Sequence, residues 1–199
     1  MTTKNDLLYQ AALEYKKFIG TKIEFLVGRK GESKLLTVIF KPSDFHHLAG
    51  LHKLSDIQKV YKGKAEDIFN QILSKKICVT DIENSVFFKN ITERLEIISQ
   101  LTYIFSNKST IFEFRKVQVP GSKICWKYLL EFKTISNMTG YLFINEYRIN
   151  PGNYVCVTDF FKNKADYGLK QIRLTLLKTD LINQEGARCV LFVSSSYKP

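Results

Sequence analysis

All of the histidines in this chain lie within seven residues of one another, in the stretch DFHHLAGLHKLSDI at residues 44–57. They are His46, His47 and His52. Gly50 lies between them and Lys53 follows them. Histidine suits general acid and general base roles because its unperturbed pKa, about 6.5, lies near neutrality. Lysine can stabilise a charged phosphorane, and glycine lets a phosphate approach the backbone closely. One loop therefore carries the residue types that metal-independent RNA cleavage needs.

The same residues also have structural interpretations. A histidine beside leucines is often buried and hydrogen-bonded to the backbone. A zinc site made of the three histidines has no cysteine nearby and lacks the i, i+4 spacing of helical zinc ligands. Asp44 and Asp56 are of a type that more often caps helices than binds ligands. We therefore expect no metal and no cofactor, and the role of each histidine stays open at this point.

Positive charge is concentrated in the two ends of the chain. The net charge is +11. Residues 1–53 carry nine basic and five acidic side chains, residues 54–107 carry seven of each, and residues 108–199 carry fourteen and seven. If the two basic parts fold together, they form a surface that attracts a polyanion such as RNA. A solvated basic surface without a partner remains the alternative.

Composition favours a globular protein with a sizeable core. Hydrophobic residues make up 45% of the 199 residues and charged residues 25%, unlike a disordered chain. The four cysteines form no C-x-x-C pair, which is typical of buried thiols in a reducing cytoplasm. We find no signal peptide and no apolar run near the roughly 18 residues of a membrane span. A cytoplasmic location without membrane contact is therefore predicted.

Hydrophobic periodicity predicts an α+β fold. The pattern indicates an N-terminal helix over 5–20, a β-hairpin over 22–41 and a short helical turn that Gly50 ends. Helical spacing follows over 64–76 and, as one long helix, over 86–106. After Asn107 the spacing changes to period two. Strands are expected at 110–119, 124–135, 139–149, 152–161, 169–182 and 187–195. We predict one domain over 1–199, with residues 108–195 forming an antiparallel sheet packed on the long helix.

The histidine stretch resembles the signature of a phage-associated nuclease family. That family is the fourth phage group of the wider set of Barnase, EndoU, colicin and RelE-like ribonucleases. Its signature has the form F-x-H-L-x-G-L-x-K-x-x-D-I. It is met here by Phe45, His47, Leu48, Gly50, Leu51, Lys53, Asp56 and Ile57. Downstream, TDFFKNKADYGLKQ is similar to a late strand and loop of such proteins. The matching positions there are Thr158, Phe160, Tyr167 and Gln171.

The resemblance implies a helix, a hairpin, central helices and a curved sheet, the fold of that ribonuclease set. It marks His47 as the leading acid or base, with His52 as the weaker candidate for its partner. Lys53 would stabilise the phosphorane, while Thr158 and Gln171 would hold a phosphate from the opposite strand.

A late basic segment supplies candidate RNA contacts. Its residues are Lys162, Lys164, Lys170 and Arg173. These cations could hold phosphates while an aromatic ring of Tyr154, Tyr167 or Phe160 stacks on a base. Core packing is the alternative for these aromatic residues.

These features predict a metal-independent endoribonuclease that leaves a 2′,3′-cyclic phosphate. The resemblance suggests a toxin or phage-conflict effector acting on tRNA or another translation RNA, with an antitoxin or immunity protein as partner. The alternative is a non-catalytic RNA-binding or protein-interaction module of the same fold. A cleft shared by His47, Lys53, Thr158 and Gln171 would favour the enzyme. Burial of His47 against the long helix would favour the binding module.

Overall fold

The computed structural model describes residues 6–115, 119–163 and 165–198 and has the α+β architecture expected from the sequence. Six α-helices are assigned there: α1 (Leu7–Lys16), α2 (Pro42–Leu48), α3 (Gln58–Tyr61), α4 (Ala65–Leu73), α5 (Lys89–Ile98) and α6 (Leu101–Phe105). The strands are β1 (Lys22–Arg29), β2 (Glu32–Ile39), β3 (Thr110–Glu113), β4 (Tyr128–Lys133), β5 (Thr139–Glu146), β6 (Asn153–Phe161), β7 (Ile172–Ile182) and β8 (Arg188–Val193). Short 3-10 turns occupy Leu51–Lys53 and Val79–Asp81.

The predicted N-terminal hairpin is confirmed. Arg29 pairs with Glu32, so the turn consists of Lys30 and Gly31 alone. Both have positive φ angles, 52° and 86°, as a type I′ turn requires. That turn matches the twist of paired strands, and it holds the tip of the β1–β2 hairpin in one conformation.

The sheet closes on itself, which the sequence pattern did not predict. Its strand order is β1-β2-β6-β5-β4-β3-β7-β8, and β1 also pairs with β7. The expected antiparallel sheet of the C-terminal half is present, but the hairpin belongs to it as well. The contact between β2 and β6 is parallel and consists of only two residue pairs. Strand pairings therefore form a closed ring of seven strands, with β8 attached outside it.

The single helix predicted over residues 86–106 is wrong, because the structure divides it into α5 and α6. At the break, the Ser99 hydroxyl and the Gln100 side chain both donate hydrogen bonds to the Glu96 carbonyl oxygen. The new helix start is capped from another element, since the Thr102 amide donates to Glu14 Oε1 of α1 at 2.7 Å. No helix in the described part of the chain is both long and apolar enough to cross a membrane.

Two hydrophobic clusters lie on opposite faces of the sheet. Neighbouring residues show the division: Leu130 and Leu142 pack in the main cluster, whereas Leu129 and Phe143 pack in the second. The main cluster joins the sheet to the helices. Helices α2 and α5 both pack against β6. The histidine stretch is therefore held between the helices and the middle of the sheet.

Candidate functional site

Gly50 shapes the loop that carries the histidines. It follows α2 and precedes the 3-10 turn with a φ of 75°, a conformation that favours glycine. A Cβ atom built on it would lie 2.8 Å from Cδ of Arg94 and 3.0 Å from Cγ2 of Ile91. Both the backbone conformation and the space therefore require glycine. The prediction that Gly50 ends the helical turn is confirmed, and the loop rests directly on α5.

His47 and His52 form a stacked pair across this glycine. Their ring centroids are 4.3 Å apart and the rings are inclined by only 14°. His47 is exposed, whereas His52 is half-buried. Nδ1 of His52 is buried and makes no hydrogen bond in the structure. The loop thus brings one solvent-accessible imidazole against one partly shielded imidazole.

His46 has a structural position instead. It is buried, and its Nε2 lies 2.9 Å from the carbonyl oxygen of Val60 in α3. This bond ties α2 to α3. The structural role that the sequence left open for each histidine therefore applies to His46, the first of the three.

The surroundings of the pair favour neutral imidazoles. Burial lowers the pKa of His52 to about 4, and the cationic side chains around it act in the same direction. Partial burial also lowers the pKa of His47, again assisted by the charge of Arg94. The His47 ring also contributes to lowering the pKa of His52, so a charge on His47 disfavours a charge on His52.

Lys53 belongs to the same cluster. Its side chain is half-buried. Burial and the Arg94 charge lower the Lys53 pKa, whereas the Asp159 carboxylate raises it. A cation therefore stands beside the two imidazoles, as the sequence predicted.

A buried ion pair supports the loop from below. Nη1 of Arg94 donates to the carbonyl oxygen of Leu48 at 3.1 Å and lies 3.4 Å from Oδ1 of Asp159. Only 8% of Arg94 is exposed, and Asp159 is fully buried. Burial raises the pKa of Asp159 well above its usual range, and Arg94 opposes that shift. Neither residue was among the candidates from the sequence.

The position of Arg94 in the sequence indicates a buried cation that needs a partner. It lies three residues after Ile91 and four before Ile98, so it falls on the apolar face of its helix. A charged residue in that position is almost never fully buried without a partner. Its partner, Asp159, lies 65 residues away in another element, and helical spacing could not identify it.

The structure does not place Thr158 with the histidines. Thr158 pairs with Phe143, and side chains of paired residues share a face of the sheet. Phe143 belongs to the second cluster, on the face away from the helices. The cause is a β-bulge at Val157 in β6, which reverses the alternation after Cys156. Asp159 faces the histidine loop instead.

Gln171 is also engaged elsewhere. Its side-chain oxygen accepts a hydrogen bond of 2.8 Å from the backbone amide of Arg115, just after β3. It therefore holds the chain next to the β3–β7 pair. Of the four residues expected to line one cleft, His47 and Lys53 lie together, with His52 beside them.

The predicted RNA-binding residues differ in availability. Nζ of Lys162 lies within 3.0 Å of Glu131 and 2.9 Å of Asp166. Burial lowers its pKa, but the hydrogen bonds with these carboxylates outweigh burial and raise it. Tyr167 packs in the second cluster, with Phe160. Lys170 and Arg173 are exposed, and Lys164 lies outside the described residues.

The chemistry open to this site is proton transfer beside a cation. Across residues 6–115, 119–163 and 165–198, no three histidine, cysteine, aspartate or glutamate side chains converge as metal ligands would. Two stacked imidazoles can exchange a proton with a substrate, and Lys53 can face the negative charge that develops. The buried ion pair fixes the backbone that carries all three.

A comparison with protein-family models finds one match that covers most of the chain. The model is described as phage-Barnase-EndoU-ColicinE5/D-RelE like nuclease4, and it matches residues 7–185. No curated protein and no solved structure matches the chain.

Proposed function

The chain belongs to the phage-associated Barnase–EndoU–colicin–RelE-like nucleases, and we propose that it is a metal-independent endoribonuclease with His47 and His52 as its acid–base pair. The observation that carries this proposal is the stacking of exposed His47 on half-buried His52, with Lys53 close enough for its charge to act on both rings. Family membership makes a nucleic acid the substrate. The choice of RNA rests on the chemistry, because two imidazoles can use the ribose 2′-OH as the internal nucleophile.

In the proposed reaction, His52 acts as the base. Its pKa of about 4 keeps it unprotonated at neutral pH, so it can accept the 2′-OH proton. The 2′-oxygen then attacks phosphorus, and the bond from phosphorus to the 5′-oxygen breaks. His47, the exposed ring, enters the reaction in its protonated form and donates that proton to the leaving oxygen. The products are a 2′,3′-cyclic phosphate and a 5′-hydroxyl, with atoms and charge balanced.

Lys53 is assigned to the phosphorane. It lies in the 3-10 turn directly after His52, and its ammonium can face the equatorial oxygens during attack. Arg94 is too buried to contact a phosphate and serves the backbone instead. Lys53 is therefore assigned to the substrate, whereas Arg94 supports the backbone of the loop.

The biological role is proposed from the family alone. We infer that the enzyme acts as a toxin or phage-conflict effector on tRNA or another translation RNA, with an antitoxin or immunity protein as partner. A non-catalytic RNA-binding module remains the alternative. The exposed position of His47 supports the enzyme, because a histidine with a purely structural role would be buried and hydrogen-bonded to the backbone, as His46 is.

Purified protein incubated with total RNA, with and without EDTA, tests this function. We expect cleavage in both samples, and sequencing of the ends should show 2′,3′-cyclic phosphates. An RNA carrying 2′-O-methyl groups should resist cleavage, because the nucleophile is blocked. Intact RNA in every sample would overturn the proposal of an enzyme and favour the non-catalytic RNA-binding module. Cleavage lost with EDTA, or products ending in 3′-hydroxyl groups, would overturn the mechanism.

A further inference from the structure

A hollow lies on the outer side of the β1–β2 hairpin, next to the turn that joins the two strands. Its volume is about 580 Å³, within the range of roughly 300–1,000 Å³ for ligand sites. Leu26 and Leu177, which point away from the main cluster, lie on its floor. Arg29 and Lys30 of the hairpin form one wall. Both cations lie at the turn of the hairpin, and they line the neighbouring hollow as well.

The chain after β8 forms the opposite wall. The Ser194 amide donates to the carbonyl oxygen of Leu177 at 2.8 Å, and the Tyr197 amide donates to the Ser194 carbonyl oxygen at 3.0 Å. These bonds anchor the segment to β7. Tyr197 and Lys198 line the hollow from this segment, together with Ser196.

Positive charge predominates around this hollow. Its lining includes three cations, Arg29, Lys30 and Lys198, and one carboxylate, Glu32. Among the described residues, no acidic side chain lies within ion-pairing distance of these three cations. The neighbouring hollow on the inner side is different, because its Lys34 is paired with Glu113 at 2.7 Å.

We propose that the outer hollow binds one nucleotide of the RNA substrate at a distance from the scissile bond. Arg29, Lys30 and Lys198 contact phosphate, and the base lies against Tyr197. Cations combined with an aromatic ring are the usual means of binding single-stranded nucleic acid. This inference rests on the RNA substrate of the proposed function, but not on the histidine chemistry.

The position of the hollow defines the substrate class. The hairpin tip and the start of α2 are at opposite ends of β2, whose eight residues extend about 23 Å. We therefore expect that a dinucleotide bound at the histidines does not reach the hollow. An RNA that uses both sites is therefore a chain of several nucleotides or a folded molecule.

Binding of a fluorescent 2′-O-methyl oligonucleotide to the full chain tests the proposal without cleavage. The test variant is Arg29→Gln/Lys30→Gln. The matched control is Lys75→Gln/Lys76→Gln, which also removes two adjacent exposed charges, with Lys75, like Lys30, at a positive φ. Both variants reduce the net charge equally, so general attraction affects them alike.

We expect the hairpin variant to bind about 25-fold more weakly at 0.1 M salt, since each single-strand phosphate contact contributes about 0.7 to the salt slope. The slope of log K against log salt should fall by about 1.4, and the control should keep both values. Tyr197→Leu should weaken binding with no change in slope. Equal affinities for the two double variants, or no binding of the oligonucleotide by the unaltered protein, would overturn the proposal. Because the probe cannot be cleaved, these outcomes are independent of whether the protein cleaves RNA.

Discussion

Single residues of the histidine stretch have different roles although they are adjacent in the chain. His46 is tied to the Val60 carbonyl oxygen, whereas His47 is exposed and stacked on His52. The difference follows from helix geometry, since consecutive side chains on α2 point about 100° apart. One histidine therefore faces α3 and the next faces the solvent. This division can be tested residue by residue.

Replacing His47 by alanine should abolish most cleavage and leave the fold intact. Loss of a general acid typically costs about 10²–10⁴-fold in rate. The His47 ring is exposed, so its removal leaves no buried polar group unpaired. His46→Ala is the internal control, since it leaves the buried Val60 carbonyl oxygen unpaired and should cost about 1–3 kcal/mol of stability. His47→Ala should lower the cleavage rate and keep the thermal midpoint, whereas His46→Ala should lower the thermal midpoint and keep the cleavage rate. A His47→Ala protein that cleaves normally, or unfolds, would contradict the assignment.

Stability should fall when the pH decreases from about 6.5 towards 4, and His52 should account for part of the loss. The folded-state pKa of His52, about 4, lies below its unfolded value of 6.5. In this window the unfolded chain binds a proton that the folded protein does not, so lower pH favours unfolding. Above pH 6.5 neither the folded nor the unfolded state binds this proton, so His52 causes no loss of stability there.

The measurement is denaturant unfolding at a series of pH values, for the unaltered protein and for His52→Gln. The variant should show a shallower loss of the free energy of unfolding between pH 6.5 and 4. Comparing the two proteins removes the effects of other groups, among them Asp159. Its raised pKa acts in the opposite direction. Parallel pH curves would show that His52 is not held neutral.

At the level of helices and strands, one glutamate joins two elements that are distant in the chain. Oε1 of Glu14 accepts from the Thr102 amide at the start of α6, and Oε2 binds Lys17 at 2.6 Å. Glu14→Ala should lower the free energy of unfolding by about 1–3 kcal/mol, because the Thr102 amide loses its partner. Lys17→Ala is the control, since it removes only an exposed ion pair worth about 0–1 kcal/mol. Equal losses in urea unfolding would mean that the cap contributes nothing.

Sequence patterns predicted the elements well where one period holds throughout. The hairpin and the six C-terminal strands follow from regular alternation, and α1 follows from helical spacing. Alternation failed at Val157, where a bulge exchanges the faces of Thr158 and Asp159. No turn residue marks that bulge, so the alternation of β6 could not indicate that Asp159 faces the histidine loop. Thr158 was placed at the site by the family resemblance. The break between α5 and α6 has neither proline nor glycine and depends on Glu14 from another helix. Effects that arise between distant elements are the ones that periodicity cannot show.

For the whole molecule, the two basic ends of the chain are brought together in one sheet. Strand β1 from the N-terminal part pairs with β7 from the C-terminal part. Parts of the two basic segments are therefore neighbours in the fold. A positive, RNA-facing surface built from them remains a prediction, and substrate length provides a test of RNA binding away from the histidines.

Cleavage should improve with substrate length until the RNA can reach the hairpin hollow. We expect kcat/KM to rise between a dinucleotide and an oligonucleotide long enough to span about 23 Å. Arg29→Gln/Lys30→Gln should remove this gain and leave dinucleotide cleavage unchanged, since the histidines are unaffected. Kinetics on a series of RNA lengths measure the effect. A gain that survives in the double variant would show that long RNA follows another path.

The closed ring of strands also bears on how the protein is made. A ribosome synthesises the histidine stretch early, but the Asp159 that pairs with Arg94 follows more than one hundred residues later. The ring of strands closes later still, because β1 must pair with β7, as Ile23 does with Leu181. Pairings so distant in the chain form slowly and late. A nascent chain therefore carries its histidines without their support until β6 and β7 have left the exit tunnel. If the histidines act as proposed, we expect the protein to be inactive towards RNA until then.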